Sequence, residues 1–137
     1  MRITITGKPI AKKRPRFVRR GKHVDTYNAQ ETEDGRFVLD AKTQITERFT
    51  GPVSVECVFW MPRPKGHFGT GKNSGKLKAS APEHHVTTPD IDNCEKFVFD
   101  CLNGLAWHDD SQVVKVVSEK RYSTGREGRT EIWVESV

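Results

Sequence analysis

The chain has 137 residues, 34% of them hydrophobic and 30% charged, with a formal net charge of +5. That length suits one domain, residues 1–137, with one modest core, and no apolar run approaches the roughly 20 residues that cross a bilayer. The opening Met1–Thr6 alternates like a strand and is followed by basic residues, so it does not read as a signal peptide.

In chain order the pattern predicts strand, basic loop, helix, strand, long basic loop, helix, strand, strand. Ile3 and Ile5 alternate with polar neighbours until Gly7 and Pro9 end the first strand. From Lys12 to Tyr27 there is no usable period, which predicts a loop or ribbon. Asp40 is placed to cap a helix running to about Arg48, with Ile45 and Phe49 at helical spacing, before Gly51-Pro52 breaks the chain. Val53 to Trp60 is a strand by its β-branched and aromatic content. Met61 to Thr88 carries prolines, glycines and serines and reads as an extended, flexible loop.

Pro89 then leads into a second helix from about Asp90 to Asn103, stopped by Gly104. On its wheel Ile91, Cys94, Val98, Cys101 and Leu102 share one side, and Asp92, Lys96, Asp100 and Asn103 the other. Phe99 falls on the polar side, where a subunit contact is the one use for it. Val113–Tyr122 and Thr130–Val137 are two strands joined across a Gly125–Gly128 turn, read as a hairpin. Together these elements make a mixed α/β fold: a small mixed sheet with about two helices.

Charge is segregated along the chain. No acidic residue occurs from Met1 to Val24, which holds Arg2, Lys8, Lys12, Lys13, Arg14, Arg16, Arg19, Arg20 and Lys22; Arg63 to Lys78 is a second basic stretch. Between Asp90 and Asp110 the balance inverts, with Asp90, Asp92, Glu95, Asp100, Asp109 and Asp110 against Lys96. A solvated surface interleaves the two signs. Two basic arms around an acidic centre suggest a polyanion held by the arms and cations held at the centre.

Asp90 and Asp92, one residue apart, point the same way if the chain is still extended as it enters the helix. Asp110, from just before a strand, can complete a hard oxygen cage suited to Mg²⁺. The plain alternative is that Asp90 and Asp92 favour a helix N-terminus and that Asp109 and Asp110 sit in a polar turn. Lys96 likewise admits two readings: ordinary i,i+4 pairs with Asp92 and Asp100, or a cation directed at the metal site.

These blocks also carry a resemblance. Pro89-Asp90-Ile91-Asp92-Asn93-Cys94-Glu95-Lys96, then Phe99-Asp100-Cys101-Leu102-Asn103-Gly104, then Asp109-Asp110-Ser111-Gln112-Val113 resemble the RusA family of Holliday-junction resolvases in order and separation. The N-terminal Gly7-Lys8-Pro9 and Lys13-Arg14-Pro15-Arg16-Phe17 are similar to the family's opening segment. Met61–Lys65 and the basic loop after it look like phage and prophage members. One departure is Cys94, where the family usually has a larger apolar residue.

The resemblance implies Asp90, Asp92 and Asp110 as metal-binding catalytic carboxylates and Lys96 as the catalytic lysine, with Asp100 and Asp109 at acidic family positions as candidate accessory groups; His108 joins them as a candidate because it adjoins the carboxylates. It implies Mg²⁺, with Mn²⁺ substituting, and a homodimer that nicks branched DNA in pairs during recombination and repair. The DNA-gripping candidates are Lys12, Lys13, Arg14, Arg16, Arg19 and Arg20, with Lys72 and Lys76 from the second loop. Phe17 is placed either to stack on a base or to pack in the core. Two other functions stay open: a branched-DNA-binding accessory protein without cleavage, and a metal nuclease for flaps or RNA.

Several further signals point elsewhere and are set aside. Gly66–Lys72 nearly spells a phosphate-binding P-loop, but Asn73 replaces its Ser/Thr and no helix can open promptly, so no nucleotide cofactor is expected. His84 and His85 lack partners at zinc spacing. Cys57, Cys94 and Cys101 form an odd set without a CxxC pair, which argues for packing residues and a reducing cytoplasm, that of a bacterial host. Trp60, Trp107 and Trp133 are expected in the core.

Overall fold

The computed structural model describes residues 1–13, 16–20, 23–27 and 31–137, with 16–20, 23–27 and residue 31 described by backbone alone. The strands are β1 (Arg2–Thr6), β2 (Arg16–Arg20), β3 (His23–Tyr27), β4 (Val53–Met61), β5 (Val113–Tyr122) and β6 (Arg129–Ser136); the helices are α1 (Glu31–Lys42) and α2 (Ile91–Leu102). β2 and β3 pair antiparallel, so the N-terminal basic segment is a ribbon. The other four strands form one mixed sheet in the order β1-β6-β4-β5.

That order corrects the hairpin expected at the C-terminus. β4 lies between β5 and β6, parallel to the first and antiparallel to the second. The reason is burial. Val53, Val55, Cys57, Phe59 and Met61 of β4 all face the core, and such a strand gains most with a neighbour on each side. The turn after β5 folds against the N-terminal loop instead, where the Gly7 N–H donates to the Gly128 carbonyl at 3.0 Å. A Cβ on Gly128 would sit 2.6 Å from the Trp60 carbonyl, so the approach requires glycine.

The first helix also lies elsewhere than expected: it ends at Lys42, and Asp40 falls inside it. The chain turns at once, with the Gln44 and Ile45 N–H groups both donating to the Ala41 carbonyl. Among its described side chains the helix buries only Phe37 and Ala41, leaves Leu39 68% exposed, and carries Gly35 mid-span. A stripe that thin gives little period to read, and a mid-helix glycine costs about 1 kcal/mol against alanine.

α2 matches its prediction closely. Cys94, Val98, Cys101 and Leu102 are buried against the sheet, and Gly104 at φ +78° ends the helix. Ile91 is a correction, since it is exposed, while the unplaced Phe97 is buried against Phe37 with ring centroids 5.3 Å apart. Phe99 packs edge-on to the fully buried Trp107 at 5.8 Å, so it serves this chain's own core and needs no subunit contact. Trp107 in turn donates its indole N–H to Asn103 Oδ1 at 2.7 Å.

Both helices cover one face of the sheet. On the other, Trp60 lies between Arg121 and Arg129, and Arg2 stacks on Trp133. Trp60 and Trp133 are therefore half-buried platforms, and only Trp107 fulfils the core expectation. Glu131 is held among them. Burial pushes its carboxyl upward, but donors from Arg2, Arg129 and Trp60 outweigh that and hold it below the usual range.

The two sheet edges differ. The Gln44 amide bonds both the Thr4 N–H and the Thr4 carbonyl, at 2.8 and 2.9 Å, and so blocks the β1 edge. Among the described residues, nothing bonds the outer edge of β5.

Candidate active site

The candidate site begins where α2 begins. Asp90 is its N-cap residue in extended conformation, but its side chain makes no capping bond, and Asp92 lies in the first turn. Both are exposed. Asp92 Oδ1 accepts from the Asn93 N–H at 2.9 Å, and no bond to its second oxygen is found among the described residues. A pair of hard oxygen donors left uncapped beside positive helix-end amides fits a hard divalent cation.

Three residues outside the predicted set position this end. Lys120 on β5 donates to the Thr87 and Pro89 carbonyls at 2.8 and 3.0 Å, which ties the residues before Asp90 to the sheet. Ser118 donates to Glu95 at 2.7 Å one turn into α2. Arg63, buried, stacks on Tyr122 at 4.5 Å and donates to the Pro82 carbonyl at 2.8 Å, so the 62–89 segment is anchored from both ends. No local pattern marks Lys120, because its acceptors, the Thr87 and Pro89 carbonyls, come from distant parts of the chain.

Lys96 is exposed one turn after Asp92, and no ion pair joins it to Asp92 or to Asp100. The plain i,i+4 reading therefore does not describe this helix. Asp100 instead pairs with Lys12 at 3.1 Å, toward the far end of α2.

The Asp109–Val113 block has a clear local logic. Asp109 caps a short 3-10 turn, Asp110–Gln112, accepting from the Ser111 N–H at 3.1 Å; Ser111's donors hold its carboxyl below the usual range. Gln112 Oε1 accepts from the His108 and Asp109 N–H groups, while its amide nitrogen donates to the Phe49 and Gly51 carbonyls at 3.0 and 2.9 Å. Asp109 is thus occupied as a cap, and Asp110 next to it is exposed, without a bonded partner among the described residues. Arg48 donates to His108 Nδ1 at 2.8 Å, which leaves Nε2 as that ring's N–H.

Within one chain these two blocks are not together. Lys120 marks the Asp90 end of β5 and Val113 the Asp110 end, a separation of roughly 23 Å at ~3.3 Å per residue. α2 runs antiparallel to β5, so Asp90 and Asp92 lie at one end of the helix and Asp110 at the other. Among the described residues, no three His, Cys, Asp or Glu side chains stand together as a metal-binding group.

Of the DNA-gripping candidates, Arg14 lies outside the described residues. Arg16, Arg19 and Arg20 are on β2, and their side chains, like that of Phe17, also lie outside them. Lys12 is tied to Asp100, and Lys13 stands 3.9 Å from Glu33. Lys72 and Lys76 are exposed in the anchored loop, where Gly71–Asn73 is a single 3-10 turn with no helix after it. A cleft of about 630 Å³ beside Pro89 is lined by Lys8, Lys13, Arg36 and Asp40 among others.

The remaining candidates are structural. His85 packs on Tyr122 at 5.0 Å, its ring pKa lowered by burial and by Lys120. Burial raises all three thiols, Cys94 to about 11 and Cys57 and Cys101 to about 12, which suits packing rather than chemistry. No helix is long and apolar enough to cross a membrane among the described residues.

Carboxylates left uncapped at a helix start beside basic loops are groups of the kind that a metal-dependent nucleic-acid phosphodiester hydrolase uses. The chain belongs to the endodeoxyribonuclease RusA family, whose model matches residues 6–135. It is also similar to the uncharacterized protein YqaN of Bacillus subtilis (strain 168), 35% identical over 143 residues that cover 100% of this chain and 96% of the relative.

Proposed function

We propose that this chain is a divalent-metal-dependent endodeoxyribonuclease that acts as a homodimer and resolves four-way DNA junctions by paired symmetric nicks, in recombination and repair. The observation that carries the reading is the exposed Asp90–Asp92 pair, held by Lys120 at the start of α2 in a chain of the endodeoxyribonuclease RusA family. Asp90, Asp92 and Asp110 are the ligands proposed for Mg²⁺ or Mn²⁺, which when bound supplies water activation and charge neutralisation at the cleaved phosphate. Lys96, on the same helix face as Asp92 and without an ion pair among the described residues, offers its ammonium to the phosphate. The basic residues of the N-terminal ribbon and of the 62–89 loop grip the arms, and four-way junctions share the two-fold symmetry of a dimer.

Since Asp110 lies a helix length away from Asp90 and Asp92, a site using all three draws Asp110 from a second copy. That makes a specific expectation. Asp92→Asn and Asp110→Asn homodimers should each bind a labelled junction and fail to nick it in Mg²⁺. A dimer mixed from the two variants carries one site with all three carboxylates intact, and should nick a single strand. If the mixture stays as inactive as its components, the shared site is wrong. If the wild type binds junctions but cuts none in Mg²⁺ or Mn²⁺, the chain is an accessory protein and the nuclease reading fails.

A further inference from the structure

We propose that the cleft beside Pro89 is a pocket for one unstacked nucleotide of the DNA strand, the one flanking the phosphate to be cut. This rests on the endonuclease reading and deepens it, by naming what the protein holds next to its carboxylates. The cleft has a volume of about 630 Å³ and three walls: the chain from Thr6 to Ala11, the helix α1, and Thr88-Pro89. Pockets of roughly 300–1,000 Å³ suit ligands of nucleotide size, and a base enters such a pocket only once it has left the duplex stack.

The first ground is that each wall is tied down by its own bonds. Gly7, at φ +102°, turns the chain out of β1, and its N–H donates to the Gly128 carbonyl at 3.0 Å. At the other end of this wall the Lys12 N–H donates to the Asn93 carbonyl at 2.8 Å, in the first turn of α2 beside Asp92. Gln44, just after α1, bonds Thr4, and Lys120 holds the Thr87 and Pro89 carbonyls. A pre-organised pocket loses little binding energy to ordering itself.

The second ground is chemical: the cleft is divided as a nucleotide is. Ile5, Pro9 and Phe37 are buried and give a base an apolar floor. Lys8 and Arg36, from different walls, are exposed and have no carboxylate partner among the described residues. The cleft's carboxylates do not cancel them: Glu33 stands 3.9 Å from Lys13, and Asp40 Oδ1 accepts from the Gln44 amide at 3.3 Å. Two uncompensated cations beside an apolar floor fit an anion that carries a flat ring, with the phosphate on the rim and the base inside.

The third ground is position. Pro89 lines the cleft and Asp90 follows it, so a nucleotide held here adjoins the phosphate that Asp90 and Asp92 address. Taking a base out of the stack costs least where it is already unpaired, as at a branch point. The pocket therefore favours branched DNA over linear duplex from within a single chain.

The test uses the full-length protein and four-way junctions in which 2-aminopurine, a fluorescent base quenched by stacking, replaces one base at a time near the crossover. Binding is read in EDTA, where the strands stay whole. At saturating protein a position beside the crossover should brighten severalfold. Lys8→Glu and Arg36→Glu, both at exposed positions, should keep the wild-type melting temperature and lose that brightening even when the junction is fully bound. Lys72→Ala, on the other basic loop, should weaken binding yet keep the brightening at saturation, which separates the pocket from general attraction. A bound junction in which no position brightens overturns the pocket, as does either cleft variant brightening like the wild type. Cutting in Mg²⁺ without brightening would leave the nuclease standing and remove the pocket. Brightening without cutting in Mg²⁺ or Mn²⁺ would leave the pocket and remove the nuclease.

Discussion

At the scale of single residues, neighbouring aspartates in one motif do different work. Asp109 and Asp110 are both exposed and adjacent, yet Asp109 accepts the Ser111 N–H and closes a capping box with Gln112, whereas Asp110 bonds to none of the described residues. A cap of this kind steadies its turn, and its loss should not remove a ligand. Asp109→Ala should therefore lower thermal stability measurably and reduce nicking by less than about tenfold, in line with a loosened turn. Asp110→Asn should leave the melting temperature within error of wild type and abolish nicking. Equal loss of nicking in the two variants, with no stability difference, would show that the cap is not what separates them. The same distinction explains Asp100, whose pairing with Lys12 at 3.1 Å places it in a structural bridge between the N-terminal segment and α2.

At the scale of elements, what could be read from the sequence was what repeats with a clean period. β4 and α2 each have a full apolar face, and both were legible to within a residue or two. The Asp90–Lys96 and Asp109–Val113 blocks were legible as motifs because their residues are close in sequence. α1 was misplaced because two buried residues make no stripe, and the hairpin was wrong because pairing partners are chosen across the whole sheet. Lys120 was invisible for a similar reason: its acceptors, the Thr87 and Pro89 carbonyls, come from 33 and 31 residues away. It is a positioning residue, and Lys120→Met keeps the stem while deleting three donors. Hydrogen bonds from a charged group contribute about 1.5–3 kcal/mol, and a small displacement of a reacting group can cost on the order of 100-fold in rate. We expect nicking to fall by roughly that factor with junction affinity unchanged, and Lys120→Arg to recover part of it. A parallel loss of affinity would make Lys120 a DNA contact instead.

At the scale of the whole molecule, the segregated charge matters through the ions it displaces. Each phosphate neutralised by a lysine or arginine releases condensed counterions, so the logarithm of affinity falls against the logarithm of salt with a slope of about −0.9 per neutralised phosphate on duplex arms. The fold divides the basic candidates into two kinds. Lys72 and Lys76 are exposed on a loop anchored by Arg63, and among the described residues no carboxylate pairs with them. Lys12 already has Asp100 at 3.1 Å and donates its backbone N–H to the Asn93 carbonyl at 2.8 Å, so its charge is spent within the protein. Replacing Lys72 or Lys76 by alanine should therefore flatten the salt dependence of junction binding by about one unit for each phosphate that the lysine neutralises. Lys12→Ala should leave the slope nearly unchanged and act on stability instead, by the modest amount a partly exposed pair contributes. Titrating junction affinity between low and moderate salt for each variant separates these outcomes. If Lys12→Ala flattens the slope as much as Lys76→Ala, the pairing with Asp100 yields to DNA and the N-terminal segment rearranges on binding; if neither changes it, the grip lies in the arginines of the ribbon.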